Sequence, residues 1–251
     1  MKKKINSWWF LLRFYLYTLA VMIPKVAYFE RLTKKGEIEK RNKKAFEVIQ
    51  KWADYTVKIG GSDVKVYGIE KIPTDRPVLF IANHESYGDV PMLIYALRDF
   101  NFGFMMKSTM GKIPFIKNYL EYMGSVMVNQ SDMRQALSAI NEAADVINQG
   151  HSIVIFPEGK RSFSNTPATF KNGAFKVVRK TCVTVVPIYL HNVHLTYEAN
   201  ERCVCGADVT VTVLDPIETK DMSRADVQML NETVYNVISD YAKNFDNISH
   251  K

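Results

Sequence analysis

The chain has 251 residues, 47% of them hydrophobic, which excludes a disordered polypeptide and allows one large domain or two small ones. Three cysteines, two of them flanking Val204 as Cys203 and Cys205, make no disulfide framework and predict a reducing compartment. The net charge is +7, yet residues 1–44 hold 12 Lys/Arg against three Glu, a balance of +9, so the rest of the chain carries −2. Basicity confined to one end excludes a basic body wrapped in nucleic acid and predicts an anionic surface met by that end.

Residues 1–61 read as a basic, membrane-docking helical pair ahead of an α/β domain over 62–251. The opening, MKKKINSWWFLLRFYLYTLAVMIPK, has the basic start and apolar middle of a signal peptide. Its cleavage site is poor and basic residues continue beyond it, so it is expected to be retained. Trp8 to Ile23 is 16 residues, interrupted by Arg13 and closed by Pro24. Such a helix is about 24 Å long, short of the ~30 Å hydrocarbon core. With Trp8, Trp9, Tyr15 and Tyr17 suited to the headgroup boundary, it predicts a monotopic helix on the cytoplasmic face of a membrane rather than a span. A second helix is expected from Glu37 to Ile59, with Ala45, Ile49, Trp52 and Thr56 on one face, stopped by Gly60–Gly61.

After Gly61 the pattern changes. Residues 63–69, DVKVYGI, alternate as an edge strand does, and 77–82, PVLFIA, form the continuous apolar run of a buried parallel strand. Further strands are expected within 100–106 and 124–128, then 152–157, 184–190 and 208–214. Between them lies a helix with Met133, Leu137, Ile140, Ala144 and Ile147 on one face, capped by Ser131 and ended by Gly150. Ser223 opens a last helix with Leu230, Val234, Val237, Ile238 and Tyr241 inward. Strands alternating with helices predict an α/β fold: a largely parallel central sheet with flanking helices, preceded by the amphipathic pair.

Polar groups gather where these strands end: Asn83–His84 after LFIA, Lys107 after FMM, and PEGKRS (157–162) after IVIF. In open α/β sheets that edge is where ligands bind. His84 and Asp89 lie five positions apart, a weak signal alone, and on a continuous helix their side chains would diverge. They meet only if His84 sits in a strand-to-helix turn and Asp89 in the first helical turn, which Gly88 and Pro91 permit. An aspartate accepting from Nδ1–H fixes the tautomer and leaves the other ring nitrogen as a general base. No G-x-S-x-G elbow supplies a nucleophile, and HESYG lacks the second His of a zinc helix, so no separate protein nucleophile is evident and metal hydrolysis is not expected. His191 and His194 read as loop residues rather than ligands. A His–Asp pair without its own nucleophile points to activation of a substrate hydroxyl.

The segments NHESYGD (83–89), KSTMGKIPFIKNYLEYMGSVMVNQ (107–130), FPEGKRS (156–162) and VVPIYL (185–190) follow the order and spacing of the four motifs of glycerolipid acyltransferases. The resemblance covers about residues 64–190, FKNGAFKVV (170–178) agrees as well, and it is strongest to lysophosphatidic acid acyltransferases. The basic helical pair resembles the membrane-docking N-terminus of bacterial members. The resemblance implies transfer of a fatty acyl group from acyl-CoA or acyl-carrier protein to the sn-2 hydroxyl of lysophosphatidic acid, giving phosphatidic acid. These thioesters are co-substrates; no cofactor or metal is implied. His84 would be the base and Asp89 its orienter. Asn83, Lys107, Glu158, Gly159, Lys160, Arg161 and Lys171 would bind substrate, with Arg161 on the phosphate. Two residues depart from the family pattern: Lys160 replaces the usual Thr of the third motif, and Gln130 the usual Arg that ends the second. They leave room for another lysophospholipid acceptor. A non-catalytic lipid-binding protein of the same fold is the other alternative, against which the intact His84, Asp89 and Glu158 argue; a hydrolase would use His84 on water.

Overall fold

The computed structural model describes residues 2–112, 114–129 and 131–247. Seven strands form one sheet: β1 (Asp63–Tyr67), β2 (Val78–Ala82), β3 (Phe102–Lys107), β4 (Val126–Val128), β5 (Ser152–Ile155), β6 (Thr184–His191) and β7 (Asp208–Val213). Their order is β1-β7-β6-β2-β5-β3-β4. All neighbours run parallel except β6 and β7, which pair antiparallel. The helices are α1 (Lys2–Tyr17), α2 (Ile23–Lys34), α3 (Ile38–Gly60), α4 (Asp89–Ala96), α5 (Pro114–Tyr122), α6 (Met133–Asn148), α7 (Val178–Thr181) and α8 (Arg224–Lys243). The fold is thus the α/β arrangement with a largely parallel sheet that the alternation of elements predicts.

The sheet is covered on both faces, which is why β2 is apolar throughout. Val78, Phe80 and Ala82 join the layer containing Phe29, Ala45, Ile49 and Leu93, whereas Leu79 and Ile81 join the layer of Ile140, Ala144, Leu230 and Val234. Each large apolar side chain buried in this way contributes roughly 1.5–3 kcal/mol. The N-terminal helices share the first layer: Phe29 meets Tyr119 and Tyr122 edge-on at 5.9 and 5.6 Å, and Phe46 meets Phe102 at 5.7 Å.

Three expectations are corrected. The first helix does not close at Pro24. A single π-helical turn, Thr18–Met22, joins α1 to α2, with Ile23 N–H donating to Thr18 O. The widened turn accommodates a ring that has no amide to donate. The continuous helix over Ser7–Lys34 has 28 residues and is long and apolar enough to cross a membrane by length and composition. At ~1.5 Å per residue it reaches about 42 Å, so the length argument against a span does not hold. Second, Met133 and Leu137 are 87% and 50% exposed. The buried stripe of α6 is Ala139, Ile140, Ala143, Ala144 and Ile147, where paired alanines bring the helix close to the sheet and leave its first turns outside. Third, Asp132 caps α6 rather than Ser131, accepting from the Arg134 and Gln135 amides. Thr56 and Val237 lie at the margins of their buried faces; Ala53 and Val57 complete that of α3. Helix α5 is an addition to the expected elements. Ser223 does open α8, with a full capping box to Asp226.

Candidate active site

The parallel strands end at one edge, and β2, central in the sheet, delivers Asn83 and His84 there. Residues 83–88 turn the chain, and α4 begins at Asp89 with Gly88 before it. This local geometry makes the two residues converge. His84 Nδ1 lies 2.5 Å from Asp89 Oδ2, which also accepts from Ser86 N–H at 3.0 Å. The Asp89 side chain is fully buried, while 23% of the His84 side chain stays exposed. Burial pushes the Asp89 carboxyl up; the hydrogen bond from His84 and the turn amides pull it back. With Asp89 ionised, Nδ1 is the donor and Nε2 carries the free lone pair. One face of the imidazole is covered by Phe156, stacked at 4.2 Å and 21°.

The PEGKRS segment is bolted to the same turn. Glu158 Oε1 accepts from His84 N–H at 2.9 Å. Ser162 N–H donates to His84 O at 2.7 Å and Phe163 N–H to Glu85 O at 3.2 Å. Gly159 makes the segment possible: its φ of +71° is a left-handed conformation that side-chain-bearing residues disfavour. Burial pushes the Glu158 carboxyl up to about 7. Its Oε2 and Asp89 Oδ1 are buried without a hydrogen-bond partner among the described residues.

Arg161 lies on the outer side of this arrangement. Its guanidinium carbon is 3.4 Å from the centre of the Tyr87 ring and 5.7 Å from that of Phe163. Two aromatic faces hold a planar cation that has no carboxylate partner among the described residues. Lys160 is exposed beside it, and Lys171, also exposed, is tethered by its amide to Pro157 O at 3.0 Å. Lys107 ends β3 and is exposed. Buried carboxyls thus hold the histidine's turn, and exposed cations stand at the end of β3 and on the segments that follow β5.

Two of the residues expected to contact substrate are buried in this structure. Asn83 is fully buried; its amide donates to Leu190 O at 2.9 Å and its carbonyl accepts from Leu190 N–H at 2.7 Å. It locks β2 to β6 and has no group left for a ligand. Glu158 is 2% exposed, and one of its oxygens is taken by the His84 amide. Gln130 lies outside the described residues. Sequence reasoning missed Tyr87 and Phe156, whose ring contacts cross between separate motifs. It also missed Glu85, buried and accepting from His194, and Glu198, which accepts from Ser86 Oγ–H and Tyr87 N–H at 2.6 and 3.0 Å.

Residues 63–191 match the family model described as Acyltransferase. The chain belongs to that family. It is 30% identical over 176 residues to a 1-acyl-sn-glycerol-3-phosphate acyltransferase of Borreliella burgdorferi, covering 70% of each chain. It is 38% identical over 128 residues to one of Chlamydomonas reinhardtii, 51% of this chain and 38% of that one. A chloroplastic relative of Arabidopsis thaliana is 31% identical over 166 residues, 65% of this chain and 45% of that one. The match thus spans less than half the length of the algal and plant relatives. The crystal structure of the lysophosphatidic acid acyltransferase PlsC of Thermotoga maritima superposes with a TM-score of 0.82 over 99% of this chain and 100% of that one, at 24% identity, which shows the shared fold.

Proposed function

We propose that the protein moves a fatty acyl group from a thioester to the sn-2 hydroxyl of lysophosphatidic acid, forming phosphatidic acid. The observation that carries this reading is the His84–Asp89 pair at 2.5 Å, with the aspartate buried and part of the histidine ring exposed, and an aromatic-clamped arginine on the segment bonded to the same turn. The names of the relatives support the acceptor. His84 Nε2 takes the proton of the acceptor hydroxyl as its oxygen attacks the thioester carbonyl carbon. Asp89 stabilises the imidazolium that results. Collapse of the tetrahedral intermediate breaks the C–S bond, and the imidazolium returns the proton to the departing thiolate. Lys107 is a candidate partner for the developing oxyanion.

Arg161 would hold the acceptor phosphate with two parallel hydrogen bonds, assisted by Lys160 and Lys171, so that binding energy becomes positioning of the glycerol hydroxyl. Glu158 and Gly159 act from behind, through the shape of the turn. The donor is acyl-CoA or acyl-carrier protein, delivered at the cytoplasmic face of a membrane bearing anionic lipid; membrane association is consistent with the apolar helix over Ser7–Lys34, of which only 11% of the most apolar window is buried. The test is purified protein with labelled acyl-CoA or acyl-carrier protein against a panel of lysophospholipids. Phosphatidic acid as the preferred product supports the reading. Preference for an acceptor without a terminal phosphate overturns the acceptor, and acyl release without any acceptor overturns the transferase.

A further inference from the structure

A second buried histidine–carboxylate pair stands behind the first. Glu85 follows His84 directly and is fully buried, yet its side chain points away from the site's mouth, into the segment after β6. Its Oε2 accepts from Val193 N–H at 2.8 Å, His194 N–H at 3.3 Å and His194 Nδ1 at 3.1 Å. The His194 side chain is 12% exposed. A carboxylate with three donors on one oxygen is held in one place, and leaving such a group unpaired in a buried site is costly.

The rest of the turn leans on the same segment. Asn83 is paired with Leu190, Ser86 Oγ–H and Tyr87 N–H donate to Glu198, and a Cβ on Gly88 would meet Val193 Cγ1 at 3.1 Å and Thr196 Oγ1 at 3.2 Å. The His84 side chain looks instead toward Asp89 and Phe156. The segment 190–198 is therefore a second support of the histidine's turn, opposite PEGKRS. We propose that Glu85 and His194 are positioning residues for acyl transfer: their pair fixes the turn so that the His84 ring is held on Asp89 with Nε2 facing the acceptor. The proposal rests on the reading of His84 as the general base.

The charged groups around Glu85 fit that task. Asp89 from α4 and Glu158 from the segment after β5 are the other buried carboxyls near it, and His194 is the cation source on the segment it faces. Burial pushes the Glu85 carboxyl up to about 7, opposed by its bonds to His194. The imidazole thus keeps Glu85 bonded beside two like groups, and Glu85 is joined directly to His84, whose contact with Asp89 is short.

The test is steady-state kinetics of the full chain with the donor and the acceptor varied separately, for Glu85→Gln, His194→Phe, the double variant and His194→Gln. The expected result is a kcat reduced roughly 10- to 100-fold in each of the first two, with both KM values within about threefold of the parent. The double variant should lose no more than the worse single one, since one weakens and the other removes the same charge-assisted contact. His194→Gln, whose amide can donate in place of Nδ1, should recover most of the rate. A purely structural pair would lower thermal stability and leave kcat per folded molecule unchanged, and that result overturns the proposal. So does a change confined to KM. Should His194→Phe not fold, Glu85→Gln, nearly isosteric, decides the matter alone. Inactivity of the unmodified protein toward every lysophospholipid would sink the functional reading; an active parent with unaffected variants sinks only this inference.

Discussion

Arg161 illustrates how a side chain's neighbours select its chemistry. Stacked on Tyr87 at 3.4 Å, its plane is set before any ligand arrives, and its outer N–H groups remain available. Replacing it by lysine keeps the charge but removes the stack and the two-pronged geometry. Arg161→Lys should raise the acceptor KM about tenfold and lower kcat, with the donor KM changed much less. Kinetics with each substrate varied in turn check this; an effect on the donor alone would place Arg161 in the thioester site. Glu158 makes a different prediction, concerning stability. Its folded-state pKa, about 7, stands above the usual carboxylate value of 4.5, so the folded protein holds this proton more tightly than the unfolded one. Stability from this residue is therefore lost as pH rises from about 4.5 to about 7 and stays lost above that. Glu158→Gln avoids the loss. Its advantage in thermal denaturation should be absent near pH 4.5 and reach about 1–3 kcal/mol above pH 7. A pH-independent difference would show that Glu158 is not the group responsible.

Among the elements, the N-terminal helix shows both what the sequence reveals and what it conceals. Its apolar, aromatic composition and basic flanks are legible, but its length is not, because a proline normally closes a helix and here a π-helical turn absorbs it. Met22, Phe29 and Leu32 are buried in the body of the protein, so removing residues 1–44 would damage the core as well as the membrane face. The cleaner test changes the outward residues. Trp8, Trp9, Leu12 and Leu16 are 74%, 56%, 47% and 55% exposed on one helix. Serine at these four positions should leave the fold intact and reduce sedimentation with anionic vesicles by about tenfold or more, given roughly 25 cal/mol per Å² of apolar surface withdrawn from water. Binding that remains should weaken with salt. Undiminished sedimentation would require a second membrane surface. The strands were legible because a continuous apolar run such as VLFIA has few other places to go. The face of α6 was less so: alanines count little in a hydrophobic pattern, yet Ala139 and Ala143 are what the sheet accepts.

For the molecule as a whole, the candidate site emerged from the sequence as a collection of strand ends, and the structure joins them through main-chain bonds that no side-chain pattern encodes. His84 with Asp89, and the closeness of PEGKRS, follow from spacing and from the edge on which the parallel strands end. The inward orientation of Asn83 and Glu158 does not, since a polar residue beside a site reads the same whether it faces a ligand or a neighbouring amide. The support from Glu85, His194 and Glu198 was hidden because its donors come from more than a hundred residues away. The central claim is that His84 activates the acceptor hydroxyl for direct attack on the thioester. It is tested most directly by a single turnover with labelled acyl donor, with and without lysophosphatidic acid, in the parent and in His84→Ala. The account predicts no labelled protein and no acyl release in the absence of acceptor, rapid phosphatidic acid formation in its presence, and a rate about 10³-fold lower or less in His84→Ala. Covalently labelled protein, acyl release to water, or a near-parental rate in His84→Ala would contradict it.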